Sequence, residues 1–372
     1  MDVLVTDGIM KKSLSVVRTI APRTSTTGVV ASYPLSMAGV SQHVDQQHRI
    51  DRSDPQEYVR SLNAVIKQFG YDYLLPVGGW TTRALVDNRS VLTSDVNAVL
   101  PDSEAMQTAQ RKWKTYQLAK RFDIPTPGTA QVTAPADERR MIEECGFPLV
   151  IKPPVESAPK YVKYADSAAE LRTKIAAYRE LCDDDPIVQE YLPGEGCGFF
   201  GLYLDGDCVG SYSHTRIREY PPSGGISACA ESEPTEELGA IGKEVLDSLD
   251  WNGPAMVEFK RDADGTPNLI EINPKLWGSL DLGIASGLDF PTALLRYMAE
   301  DELPEFTFQT HRFHWPLSGD LQHVFHRPRA ALAVARDLAS SDTSSNLSVT
   351  DPLPHVIETG KLIVSPFVDQ HS

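Results

Sequence analysis

The sequence predicts an α/β protein, α+β over its full length, with a Rossmann-like N-terminal domain ahead of a second unit that contains an antiparallel hairpin. Three observations carry this. Short apolar strands alternate with amphipathic helical stretches over the first hundred residues, the pattern of a parallel sheet with crossover helices. A proline-marked linker, Ile124-Pro125-Thr126-Pro127-Gly128, interrupts that alternation. Further on, Met256-Val257-Glu258-Phe259-Lys260 and Leu269-Ile270-Glu271-Ile272-Asn273-Pro274 flank Asp262-Ala263-Asp264-Gly265-Thr266, a turn signal that closes a hairpin.

In order along the chain, Val3-Leu4-Val5 reads as a buried strand, Leu14 to Ile20 as an amphipathic stretch and Val29-Val30-Ala31 as a second strand. Pro55 to Phe69 has helical spacing in Tyr58, Leu62, Val65, Ile66 and Phe69, and Tyr73 to Val77 is a third strand. No G-x-G-x-x-G follows the first strand, so a dinucleotide site has no support there. Gly78-Gly79, directly after a strand, suits either a ligand approach or an ordinary loop. Ser103 to Phe122 is expected to be one long helix. Past the linker come a strand at Pro148 to Lys152, a helix at Ala165 to Leu181 and a strand at Pro186 to Leu192. Strands at Phe199 to Leu204 and Val209 to His214 follow, then a loop, a helix at Thr235 to Leu249, the hairpin, and a helix at Ala293 to Met298. Beyond Pro304 the pattern weakens, and no internal repeat is visible.

Bulk composition narrows the function classes. At 372 residues, two or three domains are expected. Hydrophobic content of 41% and charged content of 23% are globular values. A formal charge of −16 leaves no basic face for nucleic acid or an anionic membrane. Acids lean to Asp and bases to Arg, a composition suited to high salt. The five scattered cysteines form no C-x-x-C pair, which argues against a disulfide framework or a zinc site and for a reducing compartment. The start, Met1-Asp2-Val3-Leu4-Val5, reads as a strand and does not resemble a signal peptide, and no apolar run approaches membrane length, so a cytoplasmic location is expected.

The hairpin carries the chemistry. With Asp264 and Gly265 as central turn residues, Ala263 pairs with Thr266 and Glu258 falls opposite Glu271. Asn273 then shares their face, while Val257, Phe259, Ile270 and Ile272 fill the other. Two carboxylates with cross-strand Cβ atoms roughly 5 Å apart repel one another, unless a divalent cation sits between them on oxygen ligands. Lys152, at the end of an apolar strand, is a point charge that either reaches solvent or enters a cleft. Arg216 and Arg218 alternate onto one side of an extended segment; Arg218, beside Gly224-Gly225, is the stronger candidate for contact with a phosphoryl group or carboxylate. Trp277 and Tyr220 are candidate pocket walls, and His214 is expected to be a satisfied neighbour.

Arg111-Lys112, Val150-Ile151-Lys152, Gln189-Glu190-Tyr191-Leu192-Pro193-Gly194-Glu195 and Glu258 with Glu271-Ile272-Asn273-Pro274, in this order, resemble the ATP-grasp superfamily over roughly residues 105 to 300. The stretches Arg216 to Gly225 and Pro274 to Ser279 are similar to its predicted carboxylate–amine ligase branch. The resemblance implies a two-subdomain fold with nucleotide between two antiparallel sheets. The implied division is residues 1–108 as the preceding domain, 109–187 and 188–304 as the two subdomains, and 305–372 as a C-terminal extension. It implies that Lys112 and Lys152 contact phosphates, and that Gln189, Glu190, Tyr191, Leu192 and Glu195 hold the adenosine. It also implies that Glu258, Glu271 and Asn273 bind Mg2+ or Mn2+, and that Arg216, Arg218 and Lys275 serve catalysis. The activity implied is ATP-dependent activation of a small carboxylate for attack by an amine or a thiol. A nucleotide-binding protein without turnover is the alternative, favoured by the glycine-free stretch Pro153 to Lys160. Which acid and amine react, and the oligomeric state, do not follow from the sequence.

Overall fold

In a computed structural model describing residues 1–155, 161–181, 184–222 and 225–368, the chain builds three sheets. The first is parallel, in the order β3-β2-β1-β4, formed by β1 (Asp2–Val5), β2 (Thr26–Ala31), β3 (Gln46–Arg49) and β4 (Tyr73–Leu75) with helices α1 (Lys11–Ile20), α2 (Pro55–Phe69) and α3 (Gly79–Asp87). Helix α2 shows how local chemistry sets its limits. Asp54 accepts the Glu57 amide at 2.8 Å, Pro55 occupies the first turn, and Gly70 ends the helix at φ +73. Gly78 and Gly79 do not line the cleft described below, and the Gly78 amide donates to Asp7 Oδ2 at 2.8 Å.

The single helix expected over 103–122 is two, α4 (Ser103–Gln110) and α5 (Lys112–Arg121). Arg111 between them is extended, at φ −95 and ψ 108, and bridges Val155; the Lys112 amide donates to Pro154 O at 2.9 Å. The break thus turns Lys112 inward, where an unbroken helix would have set it on a solvated face.

The second sheet, in the order β5-β8-β6-β7, contains β5 (Thr129–Gln131), β6 (Leu149–Lys152), β7 (Lys163–Ala165) and β8 (Ile187–Glu190), backed by α6 (Pro135–Cys145) and α7 (Ala168–Leu181). Residues 188–190, set above in the larger subdomain, therefore pair within this smaller sheet.

The third sheet runs β13-β12-β9-β10-β11-β14-β15. Its core is β9 (Gly196–Leu204), β10 (Asp207–Tyr220), β11 (Ile226–Glu233), β12 (Gly253–Arg261) and β13 (Pro267–Asn273), with α8 (Glu236–Asp247), α9 (Leu280–Ala285) and α10 (Phe290–Met298). Strand β11 occupies part of the region read as loop. The weakly patterned C-terminal stretch packs on the body. Strands β14 (Arg312–His314) and β15 (Thr343–Ser345) extend this sheet, accompanied by α11 (Leu321–His326), α12 (Ala331–Ala339) and α13 (Leu353–Val368). No helix among the described residues is long and apolar enough to cross a membrane.

The expected hairpin forms with a different turn and the same central pair. Asp262 pairs with Thr266 and Arg261 with Pro267, so the loop holds three residues, with Gly265 at φ +88. That odd loop shifts the register by one. A bulge between Glu258 and Phe259 on the pairing ladder shifts it back, so Glu258 still faces Glu271. The extra residue is Ile270. Leu269 takes its expected place in the core with Val257, Phe259 and Ile272, and Ile270 instead lines the cleft.

Candidate active site

A cleft of about 370 Å³ lies between the second and third sheets, reaching the first turn of α1. Eleven of the thirteen residues expected in a site line it: Lys112, Lys152, Gln189, Glu190, Tyr191, Leu192, Arg216, Glu258, Glu271, Asn273 and Lys275. Glu195 does not, and its carbonyl accepts the Arg261 amide at the hinge. Arg218 does not either, as the register explains. Between Arg216, opposite Ala230, and Arg218, opposite Cys229, β10 carries a bulge. The intervening Ile217 is 43% exposed, and the two arginines leave the strand on different faces. Arg218 is 7% exposed and held by Asp320 (2.7 and 3.2 Å) and Asp337 (2.5 Å), with His314 Nδ1 2.7 Å from Asp320. Its expected catalytic contact is therefore corrected to a buried tie between β10 and the C-terminal stretch.

One end of the cleft is an apolar slot lined by Val150, Tyr164, Tyr191, Leu192 and Ile270. Tyr164 and Tyr191 meet edge-on, with centroids 5.9 Å apart, and the Lys260 ammonium sits 4.9 Å from the Tyr191 ring centroid. Glu190 turns its carboxylate to the Gly128 amide at 3.0 Å. Tyr164 and Ile270 escaped the sequence reading. Lys260 was legible, since it stands two residues from Glu258 on the same face.

The middle of the cleft is a charge network. Lys112, 9% exposed, meets Glu271 Oε2 at 3.3 Å and donates to Val155 O at 3.3 Å. Lys152 donates to Gln189 Oε1 at 2.6 Å. Arg216 meets Glu258 at 2.8 Å and Glu219 at 3.3 Å, and donates to Gly225 O at 3.0 Å. Asn273 Nδ2 donates to Glu271 Oε1 at 3.1 Å, which leaves its amide oxygen available.

Burial and the facing Glu271 push the Glu258 carboxyl above its usual range against the opposing pull of Arg216. Burial acts on Glu271 in the same direction, but Lys112 and Lys152 outweigh it and hold that carboxyl low. Burial lowers Lys152 to about 8, partly offset by Glu271, and lowers Lys275 well below its usual value, aided by Lys12 and Lys112.

The donor set fits one hard cation. Two opposed carboxylates and an amide oxygen supply three protein oxygens, the donor type that a hard cation would take. Among the described residues no group of three His, Cys, Asp or Glu side chains gathers, so a site made wholly of such ligands is not what the cleft offers. Of the glycine-free stretch, residues 156–160 lie outside the described residues. Trp277 and His214 also line the cleft, whereas Tyr220 packs edge-on against His326 instead. His214 is not fully satisfied, since its Nε2 is buried without a hydrogen-bond partner.

Residues 109–220 match the family model described as a RimK-like ATP-grasp domain, and residues 183–314 match the model described as ATP-grasp in the biosynthetic pathway with Ter operon. A D-alanine–D-alanine ligase of Ectopseudomonas mendocina is 27% identical over 219 residues, 53% of this chain and 66% of that protein. The chain thus matches just under two thirds of that ligase's length. A ribosomal protein bS6–L-glutamate ligase of Salmonella paratyphi B is 27% identical over 215 residues, 56% of this chain and 69% of that protein. The solved structure of a biotin carboxylase–β,γ-ATP complex from Campylobacter jejuni superposes with a TM-score of 0.68 at 15% identity. It covers 84% of this chain and 74% of that one.

Proposed function

Because this chain belongs to the ATP-grasp superfamily, we propose that it is an ATP-dependent ligase that joins a small carboxylic acid to an amine. The observation that carries this reading is the meeting of Glu258 and Glu271 across one hairpin, with Lys112, Lys152 and Arg216 around them in a single cleft.

The adenine base takes the apolar slot beside Tyr164, Leu192 and Ile270, and the hinge backbone of Gln189 to Leu192 offers it hydrogen bonds. Lys152 and Lys112 neutralise phosphate charge. Glu258, Glu271 and the Asn273 amide oxygen are the protein ligands for Mg2+ or Mn2+, which supplies charge neutralisation and alignment of the phosphates when bound.

Arg216, placed beside Glu258, stabilises charge on the transferring phosphoryl group, and Lys275 orients the reacting carboxylate. A carboxylate oxygen attacks the γ-phosphorus as the bond to ADP breaks, giving an acylphosphate. The amine then attacks the acyl carbon, loses a proton, and inorganic phosphate leaves. The protein contributes positioning and electrostatics and needs no nucleophile of its own.

The test is an ADP-release screen of carboxylates crossed with amines at several salt concentrations. ADP formation stimulated by an acid–amine pair is the expected result. Saturable Mg-ATP binding with no such stimulation across the panel would contradict the reading.

A further inference from the structure

The cleft extends beyond the phosphate-facing residues. On the third sheet Glu258 pairs with Gly198, and Gly198 pairs with His214, so His214 faces Glu258 across a residue with no side chain. His214 is 1% exposed, and its Nδ1 stands 3.4 Å from Ser279 Oγ. Burial first, and then Arg216, keep this imidazole neutral. With Ser279 donating to Nδ1, the proton rests on Nε2, a donor buried without a partner in the cleft wall. A buried donor of this kind is rare unless water, an ion or a ligand completes it.

Two further lysines line the cleft. Lys275 follows the metal-facing strand, and Lys11 opens α1 of the N-terminal sheet. Helix α1 has no acidic residue in its first turn and no side-chain cap, so its positive end is reinforced where an anion would be expected to compensate it. Lys12 donates to Leu276 O at 2.5 Å, which fixes α1 against the segment 275–279. The Lys11 ammonium stands 4.4 Å from the Trp315 ring centroid, and the acids whose charge reaches it are Asp281, which accepts from Trp315 Nε1 at 2.9 Å, and Glu358, whose Oε2 lies 3.4 Å from His355. Gly278 adjoins open space, since a Cβ there would meet no atom within 4 Å.

We propose that the acid activated in this cleft carries a second anionic group, carboxylate or phosphate, held by Lys11 and by His214 Nε2, whose proton Ser279 Oγ fixes from the far side of the ring, across the sheet from Glu258. The proposal rests on the carboxylate-activating reading above and narrows its substrate to dianionic acids. It also gives the N-terminal sheet a part in recognition through a single lysine.

The test is calorimetric titration of the whole chain, with Mg2+ and a non-hydrolysable ATP analogue, using matched acids that differ only in the second anion. Strand β10 lies two strand spacings, roughly 9–10 Å, from β12, so the panel uses short dicarboxylates and a phosphorylated acid. Succinate is set against butyrate, glutarate against valerate, and 3-phosphoglycerate against glycerate. The expected result is that one dianion binds at least ~10-fold more tightly than its partner, and that Lys11→Met reduces that preference to about twofold. Whether a dicarboxylate or the phosphorylated acid wins identifies the second group. Gly278→Leu is expected to block acid binding while nucleotide binding persists. Equal binding within every pair, no binding of any dianion, or full preference in Lys11→Met would overturn the proposal. Loss of nucleotide binding in the same titrations by the unaltered chain would instead count against the ligase reading.

Discussion

Arg216 and Arg218 stand two residues apart on one strand, both against carboxylates, and yet belong to different parts of the molecule. Arg216 faces the cleft, and its partners Glu258 and Glu219 line that cleft too, so an anion that enters can compete for the arginine and a cation for the carboxylates. Arg218 is enclosed, with Asp320 and Asp337 at hydrogen-bond distance and His314 behind them. One bulged residue, Ile217, separates the two faces. A charge pair open to a cavity is poised for exchange; a buried and saturated one holds two segments together.

The contrast can be broken by substitution. The largest effect is expected on the exchangeable side: Glu271→Ala should cut ADP release by about 10³-fold or more, since it removes a metal ligand and charge stabilisation together, with circular dichroism unchanged. Arg216→Met should lower kcat by about 10²–10³-fold and leave the melting temperature within a few degrees. Arg218→Met should do the reverse, costing about 3–5 kcal/mol of stability by leaving the buried Asp320 and Asp337 carboxylates without their shared guanidinium, read as a lower midpoint in denaturant. If Arg218→Met melted normally and lost turnover, the division would be wrong.

A pH titration sharpens the picture of the open side. Burial lowers Lys152 to about 8, and a bound triphosphate would raise it again. Nucleotide affinity should therefore be full below pH 8 and fall above it by up to about tenfold per pH unit, as binding then requires proton uptake. Lys152→Arg should flatten that dependence. The smallest effect concerns the turn: Gly265→Ala, at φ +88, should cost about 1 kcal/mol and leave the metal-facing pair in register.

Much of this was legible because period-two alternation and residue chemistry coincide. Glu258, Glu271 and Asn273 announced one face, and the apolar run before Lys152 announced its delivery into a cleft. What escaped was everything decided by a single inserted residue. The bulges at Ile217 and Ile270 reversed the side chains that follow or occupy them, and the break at Arg111 depends on a bridge to Val155 that is 44 residues away along the chain. Alternation cannot reveal a bulge, because no local residue type requires one. The hairpin survived by compensation, with an odd loop offset by an extra residue, so the opposed carboxylates were foreseen through a register that the turn itself does not have. Short elements such as β3 and β5 escaped for another reason: Gln46–Arg49 and Thr129–Gln131 carry too few apolar residues to show a period.

The central claim is that Glu258 and Glu271 jointly hold one divalent ion with a nucleotide. Electron paramagnetic resonance of Mn2+, titrated with the protein and a non-hydrolysable ATP analogue, tests it directly. The account predicts a protein-bound Mn2+ signal that requires nucleotide and disappears in both Glu258→Gln and Glu271→Gln, while the analogue still binds. An unchanged signal in either variant would contradict it.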